Sequence, residues 1–156
     1  MSLKGIDVSH HNGTINWKAV KASGVSFAFL KCTEGINFLD HTFAQNKAWA
    51  RREGVLCGFY HFANQNDPIK EADWFIQNAG EIRPGELLAL DSETRQSPEW
   101  CLKFLDRVSA RVGFKPLIYC PAGNGMDWTP VIKGNYGLWV ARYGLNMGYR
   151  RRYLSA

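Results

Sequence analysis

Leu87-Leu88-Ala89-Leu90-Asp91-Ser92-Glu93 (LLALDSE) sets four apolar residues in a row and then two carboxylates with one serine between them. A strand with one face in water alternates apolar and polar residues, whereas a strand covered on both faces is apolar throughout. LLAL is of the second kind. With its preceding glutamate it forms ELLALD at 86–91, and five other runs read alike: KGIDVS at 4–9, VSFAFLK at 25–31, GVLCGFYHF at 54–62, KPLIYC at 115–120 and YGLWVARY at 136–143. Between them lie helix-length segments, Asn16 to Ala22, His41 to Arg52, Pro68 to Ala79 and Pro98 to Val112, whose apolar residues (Phe43 and Trp49, Trp74 and Phe75) suit helices. Strands that alternate with helices pair in parallel, so the expected class is α/β with a parallel sheet or barrel. Asp40 reads as the N-cap of the second helix, Gly54 as its stop, and Ser97-Pro98-Glu99 as an N-cap followed by a first-turn proline.

The chain of 156 residues, 46% hydrophobic, is long enough for one sizeable core and too short for two ordinary domains, so residues 1–156 are expected to form one domain. Its formal charge is +5, of which Arg150, Arg151 and Arg152 supply three, leaving the body nearly balanced. No basic face with interleaved aromatics appears, which argues against nucleic acid, while a mild positive charge suits an anionic polymer. The N-terminus MSLKGIDVSH lacks the apolar run of a signal peptide, and no stretch has the roughly 20 apolar residues that span a bilayer, so no membrane insertion is expected. Cys32, Cys57, Cys101 and Cys120 are widely spaced, without a CxxC or Cys/His metal spacing, and read as reduced, buried thiols that fit a cytosolic origin.

Parallel α/β folds carry their sites at the carboxyl ends of strands, which singles out Asp7, Glu34, Asp91 and Glu93. Residues i and i+2 of a strand share a face about 6.5–7 Å apart, so Asp91 and Glu93 converge while Ser92 points away. Close like charges in a sheltered place push one carboxyl toward its protonated form beside an ionised partner, the pairing that glycosidic cleavage uses. A solvated turn, a capping pair or a metal-binding pair is the competing reading of a bare DxE. Tyr60, Phe62, Tyr119, Trp139 and Tyr143 also end strands and offer faces on which sugar rings stack, whereas Trp17, Trp49, Trp74 and Trp100 fall in helical segments and read as core. His10 and His11 are adjacent and cannot easily converge on one metal ion, and His61 faces opposite to Tyr60 and Phe62, which marks it as structural. Ser9 and Ser92 lack a nucleophile-elbow context.

GIDVSHHNGTINW, FLKCTEG, GFYHFA, LLALDSE, PLIYC and LWVARYG, in this order over Gly5 to Gly144, together resemble the glycoside hydrolase family 25 lysozymes, the Chalaropsis-type muramidases of phage and bacterial lysins. The resemblance implies a TIM-like (β/α)5β3 barrel and cleavage of the β-1,4 bond between N-acetylmuramic acid and N-acetylglucosamine in peptidoglycan, the expected partner. It implies Glu93 as general acid/base, Asp91 as stabilising carboxylate and Asp7 as part of an acidic floor. Retention would use the substrate's own 2-acetamido group. Tyr60, Phe62, Tyr119, Trp139 and Glu34 would bind substrate, and no metal or organic cofactor is implied. Cys32 departs mildly from the family's usual small residue. The larger departure is at 145–156, an atypical tail, where the family places two more strands and another acid. The expectation is an open edge at Gly137 to Ala141, covered by the tail or by self-association. A second reading follows, a truncated and weakly active or inactive wall-binding remnant. A chitin-directed enzyme is disfavoured because DxxDxDxE is absent. The expected location is cytoplasmic until release, by a holin-type partner in a phage setting, or export by another route.

Overall fold

The computed structural model describes residues 3–121 and 125–141. In chain order these form β1 (Lys4–Val8), α1 (Trp17–Ala22), β2 (Val25–Glu34), β3 (Phe38–Leu39), α2 (Phe43–Arg52), β4 (Leu56–Phe62), α3 (Pro68–Ala79), β5 (Leu87–Asp91), α4 (Pro98–Val112), β6 (Leu117–Pro121), α5 (Thr129–Lys133) and β7 (Gly137–Ala141). The six strands expected from the apolar runs are all present and pair in parallel, in the order β1-β2-β4-β5-β6-β7. Three elements were not expected: the two-residue β3, antiparallel to β2, the short α5, and a 3-10 turn at His10–Asn12. The tail at 145–156, with Tyr143, lies outside the described residues.

Helix bounds follow local chemistry. Asp67 and Ser97 accept hydrogen bonds from the first-turn amides of α3 and α4, each helix then beginning with proline, whose fixed φ suits that position. Asp40 does not cap α2 as its N-cap residue; Thr42 occupies that place. Asp40 sits two residues earlier, because its buried carboxylate is taken up by His10 as well as by Thr42.

The two faces of the sheet have different duties. Ala28, Leu30, Cys32, Cys57, Phe59, Leu88, Leu90 and Ile118 face the helices and pack with Phe43, Phe75, Phe104 and Leu105 into the core. All four cysteines are buried free thiols there, as expected. The opposite face alternates small and large residues along the register: a side chain at Gly58 would run into the Phe29 ring, and a Cβ at Gly137 would lie 2.5 Å from Leu117. The sheet curls around this inner face, bringing Phe29 of β2 into ring contact with Trp139 of β7, centroids 5.0 Å apart, although three strands lie between them in the sheet. The result is an α/β half-barrel whose concave side opens at the carboxyl ends of the strands.

Candidate active site

β5 ends at Asp91, and the next two residues divide as strand alternation requires. Ser92 points to the helix side, where its hydroxyl donates to Gln96 Oε1 at 3.1 Å and takes a contact from Cys101 Sγ at 3.5 Å. Asp91 and Glu93 instead come within hydrogen-bonding reach of each other on the concave side. Glu93 is exposed, whereas Asp91 is largely sheltered and its Oδ1 is buried without a hydrogen-bond partner among the described residues. Burial, and then the Glu93 carboxylate, push the Asp91 carboxyl well above the ordinary range, against the pull of the Lys31 ammonium. At neutral pH the Asp91 carboxyl is therefore held toward its protonated form.

Asp7, exposed at the end of β1, bears on the same pair and on Tyr60. Tyr60 lies deeper; burial and the charges of Asp91, Asp7, Asp40 and Glu93 push its phenol upward, so it stays a neutral donor. Phe62, Asp91, Tyr119 and Trp139 form one register row across β4 to β7, with the Tyr119 and Trp139 rings edge to face at 5.1 Å. Glu34, at the end of β2, is not free to reach far: its carboxylate accepts from Lys31 Nζ at 2.7 Å. Thus the sequence-derived candidates Asp7, Tyr60, Phe62, Asp91, Glu93, Tyr119, Trp139 and Glu34 all belong to strand ends on the concave side.

A profile of the Glycosyl hydrolases family 25 matches residues 6–154. The chain belongs to this family. It is 33% identical to Lysozyme M1 of Streptomyces globisporus over 92% of its own length and 56% of that protein's. A crystal structure of a bacterial lysozyme from Streptomyces coelicolor superposes with a TM-score of 0.79 at 33% identity, covering 93% of this chain and 76% of the other. A muramidase from Trichobolus zukalii gives a TM-score of 0.84 at 26% identity, covering 96% and 81%. The chain spans about half the length of the curated relatives it matches first.

Around the acids, this family 25 chain carries supports that strand-end reasoning passed over. Lys31 is one, buried on the concave side between the rings of Phe38 and Phe62, 5.4 and 5.0 Å from their centroids. A lysine inside the apolar run VSFAFLK was its signal. The loop that carries Glu93 is stitched to the loop after β4: Thr94 Oγ1 donates to Ala63 O at 3.0 Å, Gln96 Nε2 to Asn64 O at 3.1 Å and Gln65 Nε2 to Thr94 O at 3.1 Å. Arg95 between them adopts a left-handed φ of 66°, uncommon for a residue with a Cβ.

The loop after β4 is in turn pinned by Glu71 on the buried side of α3. Its carboxylate accepts from Asn64 N, Asn66 N, Asn66 Nδ2 and His61 Nε2, between 2.8 and 3.1 Å. His61, fully buried, completes the line by accepting from Thr33 Oγ1 at 2.8 Å on its other nitrogen. The structural role expected for His61 is what it has. His10 likewise donates Nδ1–H to Asp40 at 2.8 Å, its ring tilted against those of His11 and Phe38. Among the described residues no group of three or more His, Cys, Asp or Glu is arranged to hold a metal ion.

Proposed function

We propose that this domain is a muramidase that hydrolyses the β-1,4 bond between N-acetylmuramic acid and N-acetylglucosamine of peptidoglycan. The observation that carries the reading is the Asp91–Glu93 pair, one carboxyl sheltered and one exposed, within hydrogen-bonding reach of each other in a cleft walled by Tyr60, Phe62, Tyr119 and Trp139. Membership in family 25 and relatives named lysozyme and muramidase support the same chemistry. Glu93, with access to the cleft, delivers a proton to the leaving oxygen and takes up in its place the proton of Asp91 within its reach; Asp91, neutral until then, becomes the anion in the low-dielectric floor that stabilises positive charge at the sugar and orients the 2-acetamido group that attacks from within the substrate. Asp7 adds negative potential, and the Tyr60 phenol donates to a sugar or acetamide oxygen. The aromatic rings stack on sugar faces. The described strands form the larger part of a (β/α)5β3 barrel in one domain.

Turbidity loss of purified bacterial walls, comparing the chain with Glu93→Gln, tests this directly. Clearing by the parent and its loss in the variant are the expected result, with reducing ends released at N-acetylmuramic acid. Equal clearing by the two proteins would remove Glu93 from the role of acid, and release of N-acetylglucosamine ends would overturn the bond assignment.

A further inference from the structure

The hydrogen-bond ladder of β5 stops one residue short of Glu93. Asp91 O accepts from Ala63 N and Ser92 N donates to Tyr119 O, both at 2.9 Å, and among the described residues no backbone–backbone hydrogen bond reaches residues 93–96. Glu93 is also exposed, so neither the ladder nor burial fixes it. Side chains hold this segment, and Gln96 is at their centre. It is 3% exposed, and its amide is used at three points: Oε1 accepts from Ser92 Oγ at 3.1 Å, while Nε2 donates to Asn64 O at 3.1 Å and to Thr94 Oγ1 at 2.5 Å. The bonds run in one direction. Cys101 Sγ donates to Ser92 Oγ, Ser92 to Gln96, Gln96 to Thr94, and Thr94 Oγ1 to Ala63 O at 3.0 Å, a line that starts on α4 and ends on the loop after β4.

Both ends of that line are anchored. Gln96 directly precedes Ser97, the cap of α4, and the loop after β4 is pinned by Glu71 and by Trp100 Nε1 of α4, which donates to Asn66 O at 2.8 Å. Between the anchors Arg95 is kept at a φ of 66°, a conformation that a residue with a Cβ retains where its neighbours over-determine it. We infer that Gln96 is a positioning residue for Glu93: its amide ties the Thr94–Arg95 turn to the loop after β4 and so keeps the exposed carboxyl within reach of both Asp91 and the cleft. The consequence for turnover rests on the muramidase reading; the placement of Glu93 does not. A group that hands on one proton and takes up another tolerates little displacement, since about an ångström at reacting groups is worth on the order of a hundredfold in rate. A side chain of the same length without N–H donors would leave Asn64 O and Thr94 Oγ1 without their partner and free the turn to leave its left-handed conformation.

The test compares the intact chain with Gln96→Met, which keeps the length and removes both donors and the carbonyl, and with Gln96→Glu, which keeps an acceptor for Ser92 and loses both donors when ionised. Nitrogen-15 relaxation reads the turn, and clearing of purified walls reads turnover. In the parent the amides of Glu93, Thr94 and Arg95 are expected to give order parameters of about 0.8 or more. Gln96→Met is expected to lower them to about 0.6 or less while those of Leu88 to Asp91 hold, and to lower kcat by about tenfold to a hundredfold with KM within about threefold. Gln96→Glu is expected to approach the parent, in order and in turnover at equal pH, as pH falls from about 7 to about 5, because its protonated carboxyl again donates one bond; Gln96→Met is expected to show no such recovery. Order parameters unmoved by Gln96→Met overturn the inference, as do a loosened turn with unchanged kcat and a Gln96→Glu whose ratio to the parent is the same at both pH values. If Gln96→Met does not fold, Thr94→Val decides: a looser turn with lowered kcat supports the role, and an unchanged turn overturns it. A turn that loosens as stated while no form of the chain clears walls upholds Gln96 and defeats the muramidase reading; clearing with an unmoved turn does the reverse.

Discussion

Asp91 and Glu93 are chemically near-identical side chains two residues apart, and the strand end separates them by access to water. That difference can be read without substrate. Asp91's folded pKa is raised, by burial first and Glu93 second, so the native state binds its proton at pH values where the unfolded chain has released it. Ionisation therefore favours unfolding, and the loss of stability accumulates as pH rises above the unfolded value of about 3.9 toward the folded one. Asp91→Asn removes the titration. Its melting temperature should exceed the parent's at pH 7, by an amount corresponding to about 0.5–2 kcal/mol, as for other strained active-site groups, and should match it near pH 3.5. Melts of both proteins at the two pH values check this, and a variant that gains nothing at pH 7 would contradict a raised Asp91. Glu93→Gln should instead leave stability within about 0.5 kcal/mol, since Glu93 is exposed, while lowering kcat on walls by about 10²–10⁴-fold.

At the level of elements, the cleft depends on small residues in strands whose neighbours are large. Gly58 of β4 lies opposite Phe29 of β2, and the Phe29 ring occupies the space that a Cβ would need. That ring also touches Trp139 on β7, so pushing it moves the cleft wall. Gly58→Ala should cost about 1–3 kcal/mol in urea unfolding, as overpacking does, and weaken wall binding even though residue 58 carries no functional group; an alanine accommodated at no cost would mean that Phe29 is not held there. No motif points to Gly58, because the reason for it lies on another strand. The same division runs through the molecule. α3 and α4 occupy the ranges read from sequence, Pro68–Ala79 and Pro98–Val112, since Asp67 and Ser97 cap locally and proline follows each. Asp7, Asp91 and Glu93 were legible because strand alternation and the strand-end rule are also local. Asp40 was misread as an N-cap residue because His10, which shares its carboxylate, is 30 residues away in sequence. The bulge at Cys32 was invisible because β4 sets the register, and with it went the pairing of Lys31 and Glu34. Two-residue β3 has no periodicity to detect; it exists through pairing with β2.

Over the whole molecule, opposed titrations fix where the fold is most stable. Burial holds His61 neutral, below its ordinary value, so between the folded pKa and about 6.5 the unfolded chain binds a proton that the native chain does not, and stability falls as pH falls. Burial works to raise Asp40, Glu71 and Glu86, but hydrogen bonds from Thr42 and His10, from His61, Asn64 and Asn66, and from Arg51 and Arg83 overcome it and lower all three. Their stabilisation is complete above the unfolded values near 4 and is lost as pH drops through the folded ones. Asp91 works the other way but stands against four groups. On the alkaline side burial raises Cys32, Cys57, Cys101 and Cys120, so the unfolded chain ionises first, from about 8.5 upward, and stability falls again. Under reducing conditions the melting temperature should therefore peak between about pH 6.5 and 8.5 and decline on both sides. Glu71→Gln separates the acid contributions, because Glu71 pins the loop after β4 with charge-assisted bonds to four donors. The variant should lose about 2–4 kcal/mol at pH 7, yet the gap from the parent should narrow as pH falls toward 3, where the parent's own carboxylate is being neutralised. A gap that stayed constant from pH 7 to 3 would show that the cost of the substitution is one of shape, and that the Glu71 charge does not hold the loop beside the cleft.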